Sequence, residues 1–524
     1  MVHKSIPRFL GGALVLILLA LTFLSLPHLA GAQSAAKALI TPAAPTATTW
    51  YFAEGRVGGG FKQFLTISNP GTSACNVNIN YLYTVDGSIT NSSKVVSASV
   101  PAQSRFTESV NTDLGFSELN LTTGANVAAI VSVNNGVSSP LCTGIVAERP
   151  MYFYFHNIQS GTDTLGGTSD QLSTTYFFAD VPTGIAGETF LSVLNPGSVT
   201  ANIIATYYAN GGEVAHQTLS VPALSRGTFQ PNNLKMAEVN VAATITSDQP
   251  ILVERPSYFR NVHNVNGAAN ITGATGLAST WTFAEGTTAS GTQENLLIAN
   301  LGSAAITATI TLTPEPGSTA PLPLTVSVPA KTQVLWDVNA HSALAFKAGV
   351  TVTESGTNDL VVQRQMFTTY HGSNGANSSS TMQTTWASQG VTDTLGATSP
   401  RNTFSFAEGF TSVDYNEWLM ITNTSGGPET IDITLNNMLG HQYVQQVTVP
   451  PNSRFSDNIT TVVEQHLAAT NEDGRAYAVS MTVTADNGID TFVAERTMYF
   501  HTPLRYAVQG ASSIVGYSGS AVIS

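Results

Sequence analysis

Apolar and polar residues alternate strictly along several short stretches of the chain. Val77, Ile79, Tyr81 and Tyr83 take one parity and Asn76, Asn78 and Asn80 the other; Ile306, Ala308, Ile310 and Leu312 stand likewise against Thr307, Thr309 and Thr311. Ile431, Ile433 and Leu435 repeat the pattern, and Ile203, Ala205 and Tyr207 follow it more loosely. Period two with one wet face predicts half-buried antiparallel strands. Ahead of each lies an apolar strand ending in Asn: FLTISNPG from Phe64, FLSVLNPG from Phe190, LLIANLG from Leu296 and WLMITN from Trp418. The Asn-Pro-Gly that closes two of them is turn chemistry, since Pro sets φ and Gly accepts a positive φ. A hairpin turn follows, VDG at Val85 or NGG at Asn210, and then a strand closing in Val-Pro at Val100, Val221, Val328 and Val449. Proline cannot donate to a ladder, so that strand ends there or runs along an edge.

These features recur in one order. TTWYFAEG, TTYFFAD, TWTFAEG and TFSFAEG open four copies whose aligned residues Trp50, Tyr176, Trp281 and Phe404 are 126, 105 and 123 positions apart. That period is the size of a small domain. GIVAERPMYF from Gly144, ILVERPSYF from Ile251, LVVQRQMF from Leu360 and TFVAERTMYF from Thr491 form the corresponding late strands. Roughly seven short strands per copy of about 100 residues, without a long helical period, predict an all-β chain of four tandem immunoglobulin-like β-sandwich repeats. A β-propeller is the alternative, but no blade-sized repeat of about 40 residues occurs inside a copy. The boundaries expected are 49–167, 174–276, 280–370 and 402–524, with an Ala/Pro/Thr-rich linker at 33–48 and a polar linker at 371–400.

The N-terminal residues change the compartment. Lys4 and Arg8, an apolar run from Phe9 to Leu26 and the small triplet Ala30-Gly31-Ala32 have the order of a secretory signal peptide over 1–32. The run is also long enough to serve as an uncleaved anchor, and no other stretch could cross a membrane as a helix. The mature chain is expected to be secreted, extracellular or at the cell surface. Without the leader, 18 basic residues (20 − 2) face 33 acidic ones, a net charge of about −15. Such a chain is repelled by nucleic acid and anionic lipid. Charged residues make up only 10% of the sequence, so a charge at a recurring position is expected to have a role.

Cys75 and Cys142 are the only cysteines. In an oxidising compartment they are expected to form a disulfide, and closing that loop stabilises by about 4 kcal/mol on the chain-entropy model. The repeated charges are Arg149, Arg255, Arg364 and Arg496 in the late strands, Glu54, Asp180, Glu285 and Glu408 in the first, and Arg105, Arg226 and Arg454 after Val-Pro, where the third copy reads Lys331-Thr332. The expectation is structural: each late-strand Arg sits at a sheet end and pairs with the first-strand carboxylate or caps backbone carbonyls. The catalytic alternative makes Glu54 and Glu148 a glycosidase-type carboxylate pair, which requires a cleft and a set separation. A reacting site is usually single, whereas these residues recur with the scaffold, and drift to Gln363 and Asp180 fits packing. Histidines recur as His156, His263, His371 and His501 at irregular offsets, which reads as loop chemistry, since zinc needs three or four converging ligands. In the run Tyr152 to Phe155 some rings must point off the core. They pack at a junction between copies, or Tyr152 and Tyr154 face a sugar or protein ligand. No nucleophile elbow, phosphate loop, calcium loop or zincin helix occurs, and no cofactor is expected.

TWYFAEG, FLTISNPG, VPAQSR, IVAERPMYF and the closing TDTLGG at Thr162–Gly167 together resemble the tandem repeats of secreted bacterial surface proteins of unknown function. The resemblance covers nearly all of the mature chain. It implies extracellular placement and β-rich repeats and carries over no catalytic residue. The expected function is a non-enzymatic rod or chain of domains acting as surface spacer, adhesin or envelope component. A carbohydrate-binding module array is the alternative and a secreted hydrolase the less favoured reading. The expected partners are cell-wall polysaccharide or other surface proteins, with no nucleic acid and no membrane beyond the N-terminal signal or anchor.

Overall fold

The computed structural model describes residues 44–135, 142–237, 240–343, 345–373, 385–467, 469, 477–502 and 508–519. The expected signal peptide and most of the 33–48 linker lie outside the described residues. Strand accounts for 63% of the described residues and helix for 5%, so the fold is all-β. Among the described residues, no helix is long and apolar enough to cross a membrane.

The third copy shows the architecture plainly. One antiparallel sheet runs in the order Thr280–Phe283, Ala348–Glu354, Ile306–Pro314, Leu324–Val328, and the other runs Thr332–Asp337, Thr292–Asn300, Leu360–Ser373, Thr385–Leu395. The fourth copy repeats this order, from Thr403–Phe406 to Val508–Val515. In the second copy the long strand Asn240–Val262 pairs within both sheets. Alternation places the core as expected: Val77, Ile79 and Tyr81 are buried while Asn76 on the opposite face is exposed.

The strand-closing asparagines explain why Asn and Val-Pro travel together. Asn69 Nδ2 donates to the carbonyls of Ser73 (2.8 Å), Val100 (3.1 Å) and Pro101 (3.0 Å), while its Oδ1 accepts from Gly71 N (3.0 Å). Asn195 and Asn423 make the same four bonds, and Asn300 makes three of them. One buried amide thus satisfies the carbonyls of a strand end where Pro has removed a donor.

Each copy ends in a strand beyond the roughly seven expected: Ile158–Thr162, Val265–Thr272, Thr385–Leu395 and Val508–Val515. These four inner strands pack against one another in sequence, and the last returns to the first. Residues Thr41–Ser524 accordingly form one compact unit in which the copies share a centre, so the expected rod gives way to a closed ring. The expected polar linker 371–400 is corrected over its described part, because Leu360–Ser373 and Thr385–Leu395 are strands, while 374–384 lie outside the described residues. The small polar residues of Thr385–Leu395 fit a place where four strands crowd together. At Gly390 an added Cβ would stand 2.3 Å from the Ala511 backbone nitrogen of the neighbouring inner strand, a close approach that only glycine permits.

Candidate functional site

The ring is joined by its repeated charges. Each late-strand Arg is fully buried and crosses into the next copy. Arg149 Nη1 donates to the Glu54 carbonyl of its own copy and pairs with Glu254 of the second copy at 2.9 Å. Arg364 donates to the Glu285 carbonyl at 2.6 Å and pairs with Glu495 of the fourth copy at 2.9 Å. Arg496 donates to the Glu408 carbonyl and closes the circle on Glu148 of the first copy at 2.9 Å and on Asp163. Arg255 donates to the Asp180 carbonyl and pairs with Asp393 of the third copy. The carboxylate side is used twice, since Glu254, Glu495 and Glu148 also accept from the backbone N–H of Ala53, Ala284 and Ala407, each at 2.7 Å. The sequence expectation is therefore half right: the guanidinium caps the first-strand carbonyl of its own copy, but its carboxylate comes from the next copy.

Within this set, losses compensate one another. Where the third copy has Gln363 in place of Glu, Asp393 supplies the charge to Arg255. Where the second copy has Asn270 in place of that Asp, Glu254 remains. The first copy has both Glu148 and Asp163 around Arg496. Burial, with Asp163 beside it and against the pull of Arg496, raises the Glu148 carboxyl well above the usual range.

A second set runs in the opposite direction, each donor reaching back to the preceding copy. Arg226 meets Glu54 of the first copy at 3.1 Å, and Arg105 meets Glu408 of the fourth at 2.7 Å. In the third copy Gln333, two residues past Lys331, takes the arginine position and donates to Asp180 at 3.0 Å. Arg454 keeps its Nε on the Ala284 carbonyl at 2.9 Å but sends Nη1 to Glu315, also at 2.9 Å.

Phe52, Phe178, Phe283 and Phe406 hold these clamps from below. Each carries a guanidinium 5.7 to 5.9 Å from its ring centroid. Each Phe also meets the glycine of the closing motif, Gly166, Gly273, Gly396 or Gly516, where any Cβ would come within 2.8 Å of the ring. This contact ties the opening FAEG to the closing DTLG. The four closing motifs line a cavity of about 130 Å³ at the centre, with Leu165, Asn270, Asp393 and Ile514 among its walls.

Two buried carboxyls escaped the sequence reading, because a lone Glu at a strand start looks solvent-facing. Burial raises Glu294 to about 7 and Glu417 to about 8. Neither Glu417 oxygen has a hydrogen-bond partner among the described residues, and the first copy places Gln63 at the equivalent position.

Of the two roles expected for Tyr152, junction packing or a ligand-facing ring, the structure shows the first: it lies at the junction with the fourth copy, edge-on to Tyr415 (6.4 Å) and Phe500 (5.4 Å). Phe153 packs on Tyr258 of the second copy at 5.3 Å. Strand alternation splits the aromatic run between two neighbours. Tyr154 is half-buried and donates to Asn157 at 2.8 Å. His156 and His263 are turn residues: His156, Asn157, His263 and Asn264 have φ of 47°, 67°, 50° and 64°, as a two-residue type I′ hairpin requires, whereas His371 and His501, also expected in loops, lie in the strands Leu360–Ser373 and Phe492–Thr502. Among the described residues no group of three or more His, Cys, Asp and Glu could hold a metal ion. Cys75 and Cys142 are joined by a disulfide, with Cα atoms 5.1 Å apart.

No family model matches this chain, and no curated protein matches it. Among solved structures, Thermotoga maritima 1070 is 16% identical over 19% of this chain and 92% of its own, at a TM-score of 0.18. A beta-glucuronidase from glycoside hydrolase family 2 is 11% identical over 44% of this chain and 25% of its own, at 0.11. Streptomyces avermitilis alpha-L-rhamnosidase is 10% identical over 88% of this chain and 55% of its own, also at 0.11. Scores this low determine neither fold nor activity.

Proposed function

We propose that this is a secreted, non-enzymatic surface protein, an adhesin or envelope component whose repeats close into one rigid scaffold. The observation that supports this is the fate of the recurring charges. The residues that could have formed catalytic carboxylate pairs are consumed in buried clamps between copies. A buried pair is costly to desolvate and is better suited to specifying which surfaces meet than to chemistry. The closed arrangement favours an adhesin or envelope element over an elongated spacer. The Cys75–Cys142 disulfide is compatible with an oxidising compartment.

The test is fractionation of cells producing the full chain, with the N-terminus read by mass spectrometry and surface exposure by protease shaving of intact cells. The expected result is a mature N-terminus at Gln33 or a retained anchor, with the ring accessible outside. A full-length chain found only in the cytosol would overturn the proposal.

A further inference from the structure

The junction between the third and fourth copies departs from the other three. Glu54, Asp180 and Glu408 are each held by a side chain of the next copy, at 3.1, 3.0 and 2.7 Å. At the equivalent place Arg454 is diverted to Glu315, which also accepts from the Ser456 hydroxyl. Glu285 is left, among the described residues, with only the Thr497 hydroxyl donating to its side chain. A cavity of about 200 Å³ opens beside it, lined by Glu285, Lys347, Tyr370, Trp418, Arg454 and Tyr499.

Its walls are stiff. Tyr370 and Tyr499 stack with centroids 3.9 Å apart and planes 4° from parallel, and Trp418 Nε1 donates to the Tyr370 hydroxyl at 3.1 Å. Trp418 stands where the other copies have Phe64, Phe190 and Asn295, so the large indole is particular to this junction. The Lys347 ammonium lies 5.8 Å from the Trp418 ring centroid and meets no carboxylate among the described residues.

We propose that this junction cavity binds a neutral sugar unit of a glycan. A cationic ligand would meet Lys347 and Arg454, and an anionic one would meet Glu285. A ring of hydroxyls satisfies both signs, giving donors to the carboxylate and acceptors to the ammonium while its C–H face lies on the indole. Apolar aromatic walls with a few convergent polar groups are the usual composition of a small-ligand site. The symmetry break is what opens the site: the side chain at the position that fills the other clamps, Arg454 here, is held aside by Glu315. The inference stands apart from the surface-scaffold proposal, since a surface protein need not bind sugar and a sugar-binding chain need not be surface-exposed.

The experiment is affinity electrophoresis of the full mature chain, residues 33–524, through gels containing dextran, mannan or galactan, with polygalacturonate as the acidic counterpart. Retardation by at least one neutral glycan is expected, weakened at least tenfold by Glu285→Gln and by Trp418→Ala. The isosteric Glu285→Gln keeps the shape of the site, and an unchanged melting temperature shows that its effect is on binding. No retardation by any neutral glycan would overturn the inference. So would retardation by polygalacturonate alone, or binding indifferent to both substitutions.

Discussion

The junction that closes the ring, between the fourth and first copies, and the junction before it, between the third and fourth, are built from the same motifs with opposite results. At the closing junction Arg105 reaches Glu408, Arg496 reaches Glu148 and Asp163, and Tyr152 fills the remaining space against Tyr415 and Phe500. At the preceding one the Arg496 counterpart, Arg364, is equally buried on Glu495, but Arg454 turns to Glu315 and a cavity remains. The late-strand clamp is therefore the constant of the scaffold. The Val-Pro arginine is the variable, and one acidic residue in a nearby hairpin is enough to convert a filled contact into a pocket.

The strongest way to break this comparison is Arg496→Ala. It strands Glu148 and Asp163 in a buried site and is expected to destabilise the chain by about 3 to 5 kcal/mol, read by urea unfolding. A loss near zero would mean that the clamp does not hold the ring.

Stability against pH is next. Glu417, at the closing junction, rises from 4.5 to about 8, and Glu294, at the preceding one, from 4.5 to about 7. Folded carboxyls raised in this way bind protons that the unfolded chain has released. Their contribution is therefore full below pH 4.5 and is lost as pH rises through 7 to 8. The melting temperature should fall between pH 5 and pH 8, and Glu417→Gln, the first copy's own solution at Gln63, should flatten the upper part of that slope.

Arg454→Ala sharpens the contrast. Glu315 is partly exposed, so its pair adds little, and with the Ala284 carbonyl losing its donor the loss should be about 1 to 2 kcal/mol by urea unfolding, still short of Arg496→Ala. Glu315→Ala should cost little stability but free Arg454 to swing onto Glu285, and it should weaken glycan retardation by filling the pocket. The smallest effect is expected for Asp163→Asn. The other three clamps manage with one carboxylate, so the melting temperature should stay level or rise as Glu148 loses a like-charged neighbour.

Much of each sandwich was legible in the sequence. The parity of Val77, Ile79 and Tyr81 predicted which face is buried, and Asn-Pro-Gly and Val-Pro marked strand ends later seen to be tied by one amide. Half of the Arg149 role could be anticipated from its apolar flanks and the first-strand motif. Its other half could not, because Glu254 lies 105 residues away in the next copy. Reading Lys331-Thr332 as the third copy's substitute for Arg missed Gln333 by a residue or two, since amide and guanidinium look unlike in sequence yet donate at the same place. The inner strands were hidden for a related reason: SGT, NGAAN, SQGVT and QGASS lack the large alternating apolar residues that mark the other strands, and their small side chains make sense only where four strands meet.

By itself the sequence determined an all-β chain of recurring sandwich units, because hydrophobic periodicity, turn residues and proline act over a few positions and report on local strands. Only the tertiary structure decided that the units close on one another, which carboxylate each arginine takes and which junction stays open. The motifs are near-identical, so any copy's Glu could in principle serve any copy's Arg. The choice is made by the packing of the inner strands around a common centre, which brings each guanidinium to a single neighbour.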